Sequence, residues 1–185
     1  MMNLKNLLIC AVAIAAAPVF AAESGLKPGE SITPFHPTHI AGPLADSTKC
    51  FPCTYQAYPQ VQVWVHGDDM KNVVSIAESL SKAISGHASK KFKAMIVLLV
   101  DPAQAEATKA AALEAMQGRK VEGVAVAVLP HNDKAVAAYK INTSKDVRNT
   151  VFVYRDWKVA QTMVNLKADE KGLTALNQAI ESVVK

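Results

Sequence analysis

Residues Ala94-Met95-Ile96-Val97-Leu98-Leu99-Val100-Asp101-Pro102 decide the fold class. An unbroken apolar run of this length, without polar alternation, describes a strand covered on both faces, as central parallel strands are. Asp101 then offers a side-chain cap, and Pro102 fills a first helical position whose N–H would be unbonded anyway. An Ala-rich helix is expected from there to Gly118. Upstream, Val61, Val63 and Val65 alternate with Gln62, Trp64 and His66 as a strand. Asp68 or Asp69 caps a helix with the stripe Val73, Val74, Ala77, Leu80 and Ile84, ended by Gly86. Downstream, Val124 to Leu129 reads as a second buried strand, and Asn132 or Asp133 starts a short helix through Tyr139. Thr150 to Tyr154 and Lys158 to Val164 flank Arg155-Asp156-Trp157 as a hairpin whose turn lacks the usual glycine. A final helix after Asp169 presents Leu173, Leu176, Ile180, Val183 and Val184 on one face. Strands and helices in this order predict a three-layer α/β domain with a central mixed sheet.

The N-terminus reads as an export signal. Lys5 gives the basic start, Leu7 to Phe20 the apolar stretch, and Val19-Phe20-Ala21 a small-x-small cleavage site. The expected organisation is a signal peptide over 1–21, an irregular arm over 22–49 and a folded domain over 50–185. The arm is rich in Pro, Gly, Ser and Thr, with short apolar pieces at Ile32 to Phe35 and Thr38 to Ala41, enough for one short strand or a hairpin. Periplasmic or secreted localisation follows, with no membrane attachment after cleavage. Lys and Arg number 20 against 16 Asp and Glu, spread along the chain without an arginine-rich stripe, so no nucleic-acid partner is expected.

Chemistry concentrates in Lys49-Cys50-Phe51-Pro52-Cys53. Cys10, the third cysteine, falls in the leader, so Cys50 and Cys53 are the pair left in the mature chain. C-x-x-C in a small exported domain is a redox dithiol, half of a metal site or a local staple. In an oxidising compartment the pair tends toward a disulfide. A redox role has Cys50 as attacking thiol, being N-terminal, expected to face solvent and adjacent to Lys49, with Cys53 resolving. A structural disulfide would pin the arm, although so short a loop contributes little chain entropy. For zinc, His36 and His39 would have to fold back onto both cysteines. Thr54 follows Cys53 where haem attachment needs histidine. His66, Asp68 and Asp69 are most simply a helix start. No phosphate-binding glycine loop, Ser/His/Asp ordering or carboxylate dyad stands out, and the sequence offers no cofactor or metal assignment.

The element order resembles the thioredoxin superfamily: a βαβ half, a connecting helix, a hairpin and a terminal helix. The arm, with Ile32 to Phe35 and Ile40-Ala41-Gly42, resembles the redoxin and peroxiredoxin-like branch, and Tyr139-Lys140-Ile141 to Tyr154 resembles the approach to that fold's fourth strand. The chain as a whole resembles secreted bacterial thioredoxin-like proteins of unassigned function. The resemblance implies thiol–disulfide exchange with an unknown protein dithiol or disulfide partner. The competing reading is a non-catalytic binding or structural module of the same fold. Two departures accompany it. Thioredoxins carry C-x-x-C after the first core strand, where this chain has His66-Gly67-Asp68-Asp69-Met70, and Asn149 takes the place of the proline facing that site. Pro43, Ser47 and Cys50, with Arg148, also match the spacing of a peroxiredoxin motif, on the other side of the core strand.

Overall fold

The computed structural model describes residues 22–185; the signal-peptide reading of 1–21, Cys10 included, lies outside the described residues. Six strands form one mixed sheet: β1 (Thr38–Ala41), β2 (Gln60–Val65), β3 (Lys93–Val100), β4 (Val124–Pro130), β5 (Asn149–Arg155) and β6 (Lys158–Val164). Their order across the sheet is β1-β4-β3-β2-β5-β6. The β2–β3 and β3–β4 pairs are parallel, and β1, β5 and β6 run antiparallel to their neighbours. The helices are α1 (Phe51–Tyr55), α2 (Met70–Gly86), α3 (Ala105–Met116), α4 (Lys134–Ala138) and α5 (Glu170–Val184). This is the predicted α/β sheet with helices on both faces.

Side-chain alternation along the central strands divides the interior into two unlike layers. Val61, Val63, Val65, Ile96, Leu98, Val126, Val151 and Val153 point to one face, where α2 and α5 bring Leu80, Leu176 and Ile180. Leu176 and Ile180 are almost wholly shielded, as the stripe on the last helix requires. The opposite face carries Trp64, Met95, Val97, Phe152 and Tyr154, covered by the arm (Leu26, Ile32, Phe35), by Phe51 of α1 and by Tyr139. Rings meet there within van der Waals reach: Trp64–Tyr139 centroids lie 4.6 Å apart and Phe35–Trp64 4.9 Å.

Local chemistry accounts for the boundaries. Asp69, Asp133 and Asp169 each accept a backbone N–H from the first turn of their helix. Pro102 opens a single 3-10 turn over Pro102–Gln104 before α3 begins at Ala105, so the alanine helix starts later than its cap suggests. Phe92, although set among Lys90, Lys91 and Lys93, is buried. Gly42 lets β1 turn away, at φ +81°, where a Cβ would run into the Val124 carbonyl. The hairpin turn between β5 and β6 has φ 51° at Asp156 and 64° at Trp157, the two positive angles that a type I′ turn demands. Trp157 tolerates this conformation because its ring packs on the aromatic layer and its carbonyl accepts the Ile32 N–H at 2.9 Å.

Candidate functional site

Cys50 and Cys53 are joined as a disulfide across 5.2 Å between their Cα atoms. Backbone geometry brings them together: Cys50 is the extended N-cap of α1, and one helical turn returns the chain to it at Cys53. The sulfur of Cys50 accepts the Cys53 N–H at 3.2 Å, and Thr54 donates from both backbone and hydroxyl to the Cys50 carbonyl. Phe51, fully buried, sinks into the aromatic layer and fixes the helix to the sheet. Exposure reverses one expectation. Cys50 is only 5% exposed, while Cys53 is the half-buried and more accessible member. A helix that turns Phe51 inward rotates Cys53 outward.

Both ends of α1 are moored. Ahead of it, His36 Nδ1 meets the Thr48 carbonyl at 3.0 Å and His39 Nε2 meets the Lys49 carbonyl at 2.9 Å. Thus the two histidines hold the strand entering the disulfide, and the four residues of the zinc reading are not arrayed as a ligand set. Among the described residues, no group of three or more His, Cys, Asp or Glu is gathered as a metal site would need. His39 is buried, its pKa is held below the ordinary 6.5 by loss of solvent, and its Nδ1 has no hydrogen-bond partner.

Behind α1, Tyr55 accepts the Tyr58 N–H in a tight turn whose first central residue, Gln56, has φ 46° and ψ −117°. That is the first central position of a type II′ turn, which favours glycine. Gln60 braces it, donating to the Gln56 carbonyl at 2.9 Å and the Tyr58 carbonyl at 3.2 Å. The brace continues inward, since Tyr154 donates to Gln60, Gln62 to Tyr154, and Trp64 to Gln62, at 2.8, 2.8 and 3.0 Å. Every member of this buried polar row finds a partner, and burial raises the Tyr154 phenol well above its usual pKa.

The loop leaving β2 is built differently. Asp69 caps α2, and Asp68 accepts from Asn72 at 2.8 Å and from Asn149 at 2.5 Å. Asn149, nearly fully buried, reads both backbone groups of Leu166, donating to its carbonyl at 2.9 Å and accepting its N–H at 2.8 Å. Asn72 also donates to the Leu166 carbonyl and accepts the Ala168 N–H. Asn165, at φ 57°, accepts the Arg148 N–H. A cavity of about 230 Å³ remains, lined by Asp68, Asn72, Arg148, Asn149 and Asn165 among others. Asn149 thus extends the ladder at the head of β5 with its side-chain amide.

The peroxidase spacing is not assembled. Ser47 spends its hydroxyl on the Leu44 carbonyl at 2.6 Å. Arg148 leads into β5, while the residue before Cys50 is tied to β1, four strand spacings or about 19 Å across the sheet. Sequence reasoning singled out Cys50, Cys53, His36, His39 and Asn149, but missed Gln56, Gln60 and the Asn72–Asn165 frame. Of these only Gln60 left a signal, as a polar residue at the start of a strand pattern.

Comparison with known proteins identifies the fold. No family model matches this chain, and no curated protein sequence matches it. Among solved structures, a Chlorobium tepidum protein assigned as the thiol:disulfide interchange protein DsbE aligns at TM-score 0.65 and 15% identity, over 86% of this chain and 99% of that one. A Bacteroides thetaiotaomicron protein assigned as a disulfide isomerase gives 0.64 and 14%, over 88% and 94%. Peroxiredoxin Q of Xanthomonas campestris gives 0.53 and 12%, over 83% and 92%. With neighbours of this kind and a six-stranded mixed sheet in this order, the chain has the thioredoxin fold.

Proposed function

We propose that this is an exported thiol–disulfide exchange protein that works through Cys50 and Cys53. The observation that carries the reading is the asymmetry of the disulfide: Cys53 is the more accessible residue, and buried Cys50 has a backbone N–H aimed at its sulfur. A partner thiolate attacks the Cys53 sulfur, the S–S bond breaks, and Cys50 leaves as a thiolate received by the Cys53 N–H. A second partner thiolate then displaces Cys53, so the partner is oxidised to a disulfide and this protein is reduced to a dithiol. Run backward, the same steps reduce a partner. Hydrogen bonding to the departing sulfur lowers its basicity and speeds the first step. Cys53 is thus the entry point and Cys50 the resolving member, the reverse of the roles that sequence position suggested.

Export rests on Lys5, the apolar stretch and Val19-Phe20-Ala21. Among the described residues, no helix is long and apolar enough to cross a membrane. Amino-terminal sequencing of protein recovered outside the cytoplasm should read from Ala22; an intact Met1 would defeat this part of the reading.

The deciding experiment is the reduction potential of the Cys50–Cys53 couple together with partner capture. A potential between about −270 and −120 mV is expected of a working exchanger, and one below about −300 mV marks a structural staple. Cys50→Ser should accumulate mixed disulfides through Cys53, and Cys53→Ser should accumulate far fewer.

A further inference from the structure

Four lysines fall in stretches without acidic residues that the fold brings to the end of the sheet where α1 enters β2. No Asp or Glu occurs from Ser47 to Gly67, or from Ser79 to Val100. The same two stretches carry Lys49, Lys90, Lys91 and Lys93. The topology brings them together, because α1 and its turn lead into β2 while the lysine turn leads into β3, the parallel neighbour whose Lys93 stands level with Gln60. Two tyrosines that follow Cys53 in the chain hold two of the ammonium groups. Lys93 Nζ lies 5.3 Å from the centre of the Tyr55 ring, and Lys91 Nζ lies 5.1 Å from that of Tyr58 and 3.1 Å from its hydroxyl. Tyr58 is one of two large apolar side chains exposed on the described surface, at 37%. None of these four lysines takes part in an ion pair among the described residues.

We infer that this surface, Lys49, Tyr55, Tyr58, Lys90, Lys91 and Lys93 beside Cys53, docks a polypeptide partner whose cysteine is flanked by acidic residues. The inference rests on the exchange reading and names the partner class for the same site. Ammonium groups without carboxylate partners leave a field that speeds the approach of a negatively charged segment and retards a positive one. Aromatic rings stripped of part of their solvent give that segment a flat surface to lie on without ordering long side chains. Cys53 is the sulfur this segment would reach.

The test uses the reduced full-length mature protein and three short peptides, identical except for Glu, Gln or Lys on both sides of one cysteine, each blocked as a mixed disulfide with thionitrobenzoate. A thiolate of the protein attacks the peptide sulfur, thionitrobenzoate departs as a coloured thiolate, and the second protein thiol displaces the reduced peptide and restores the Cys50–Cys53 disulfide. Rates are divided by those of the same peptides with 2-mercaptoethanol, an uncharged thiol, which removes their intrinsic reactivity. The Glu peptide should react about tenfold faster than the Lys peptide at low ionic strength, narrowing to about twofold near 0.5 M salt. The double variant Lys91→Glu/Lys93→Glu should reverse the order, and the milder Lys91→Gln/Lys93→Gln should narrow it if the first fails to fold. Lys145→Glu, remote on an exposed loop, should leave the order intact. Equal normalised rates for the Glu and Lys peptides overturn the docking inference and leave the exchange reading standing. Release of thionitrobenzoate from none of the three overturns both.

Discussion

The two loops flanking β2 have opposite characters. The loop that leaves the strand sits where thioredoxins carry their cysteines, yet here it is locked by Asp68, Asn72, Asn149 and Asn165, with the amide of Asn149 spent on Leu166 and Asp68. The chain that enters the strand holds a breakable S–S bond whose more accessible member is Cys53, and a strained turn at Gln56. One end has its polar groups closed on one another, and the other keeps a covalent bond that can open. The two ends of one central strand thus carry opposite kinds of group.

The most damaging way to break this comparison is at the closed end. Asn149→Ala strips the N–H of buried Leu166 of its partner, removes one of the two donors to its carbonyl, leaves Asp68 without its Asn149 contact, and should cost about 2–4 kcal/mol in a urea melt. It should leave the potential of the disulfide unchanged. A loss below about one kcal/mol would show that the asparagine frame is not what seals this loop. Next comes the open end. Reduction of Cys50–Cys53 should lower stability by about 2 kcal/mol, the chain-entropy value for so short a loop, and should leave hydrogen exchange at Leu166 untouched. If Leu166 becomes unprotected on reduction, the two ends are coupled and the contrast fails.

Smaller again is the strain between them. Gln56→Gly should stabilise the protein by about 1 kcal/mol, because relief of an angle that suits glycine outweighs the added freedom of the unfolded chain. No gain would mean that the bonds from Gln60 already relax the turn. The smallest effect is a pH slope. Burial places the His39 pKa in the folded protein below its ordinary value of 6.5, so the unfolded chain binds the proton first as pH falls. Stability contributed by neutral His39 is complete above pH 6.5 and is lost as pH drops below it. Glu30 and Glu78, lowered from 4.5 by Lys140 and Arg119, add their own loss only at more acid pH. Denaturant midpoints of the wild type should fall between pH 7.5 and 5.5, and those of His39→Gln should stay flatter. Equal slopes would dismiss His39 as the titrating group.

The sequence told more about the sheet than about the site, for a physical reason. The run 94–100, the valine alternation of 61–65 and the stripe on α5 are set by burial, and burial writes itself as periodicity. Asp69, Asp133 and Asp169 were legible because a cap needs a short acceptor at one fixed position. The site depends on pairings distant along the chain: Asn149 with Asp68, Gln60 with Tyr154, Lys93 with Tyr55. None of these leaves a local pattern. Even the exposure of the two cysteines was hidden, because it is decided by which way Phe51 turns, and that follows from the aromatic layer rather than from the cysteine spacing.

The arm has a consequence for timing. Ser24 shares a hydrogen bond with Thr150, 126 residues later, and the Gly25 N–H donates to the Lys140 carbonyl, while a Cβ on Gly25 would strike the Phe152 ring. The first described residues are thus stitched onto elements from the final third of the chain. In synthesis from the amino terminus, these residues are made early and lock last. Until β5 has been made, the arm has nothing to close upon, so its docking marks completion of the sheet.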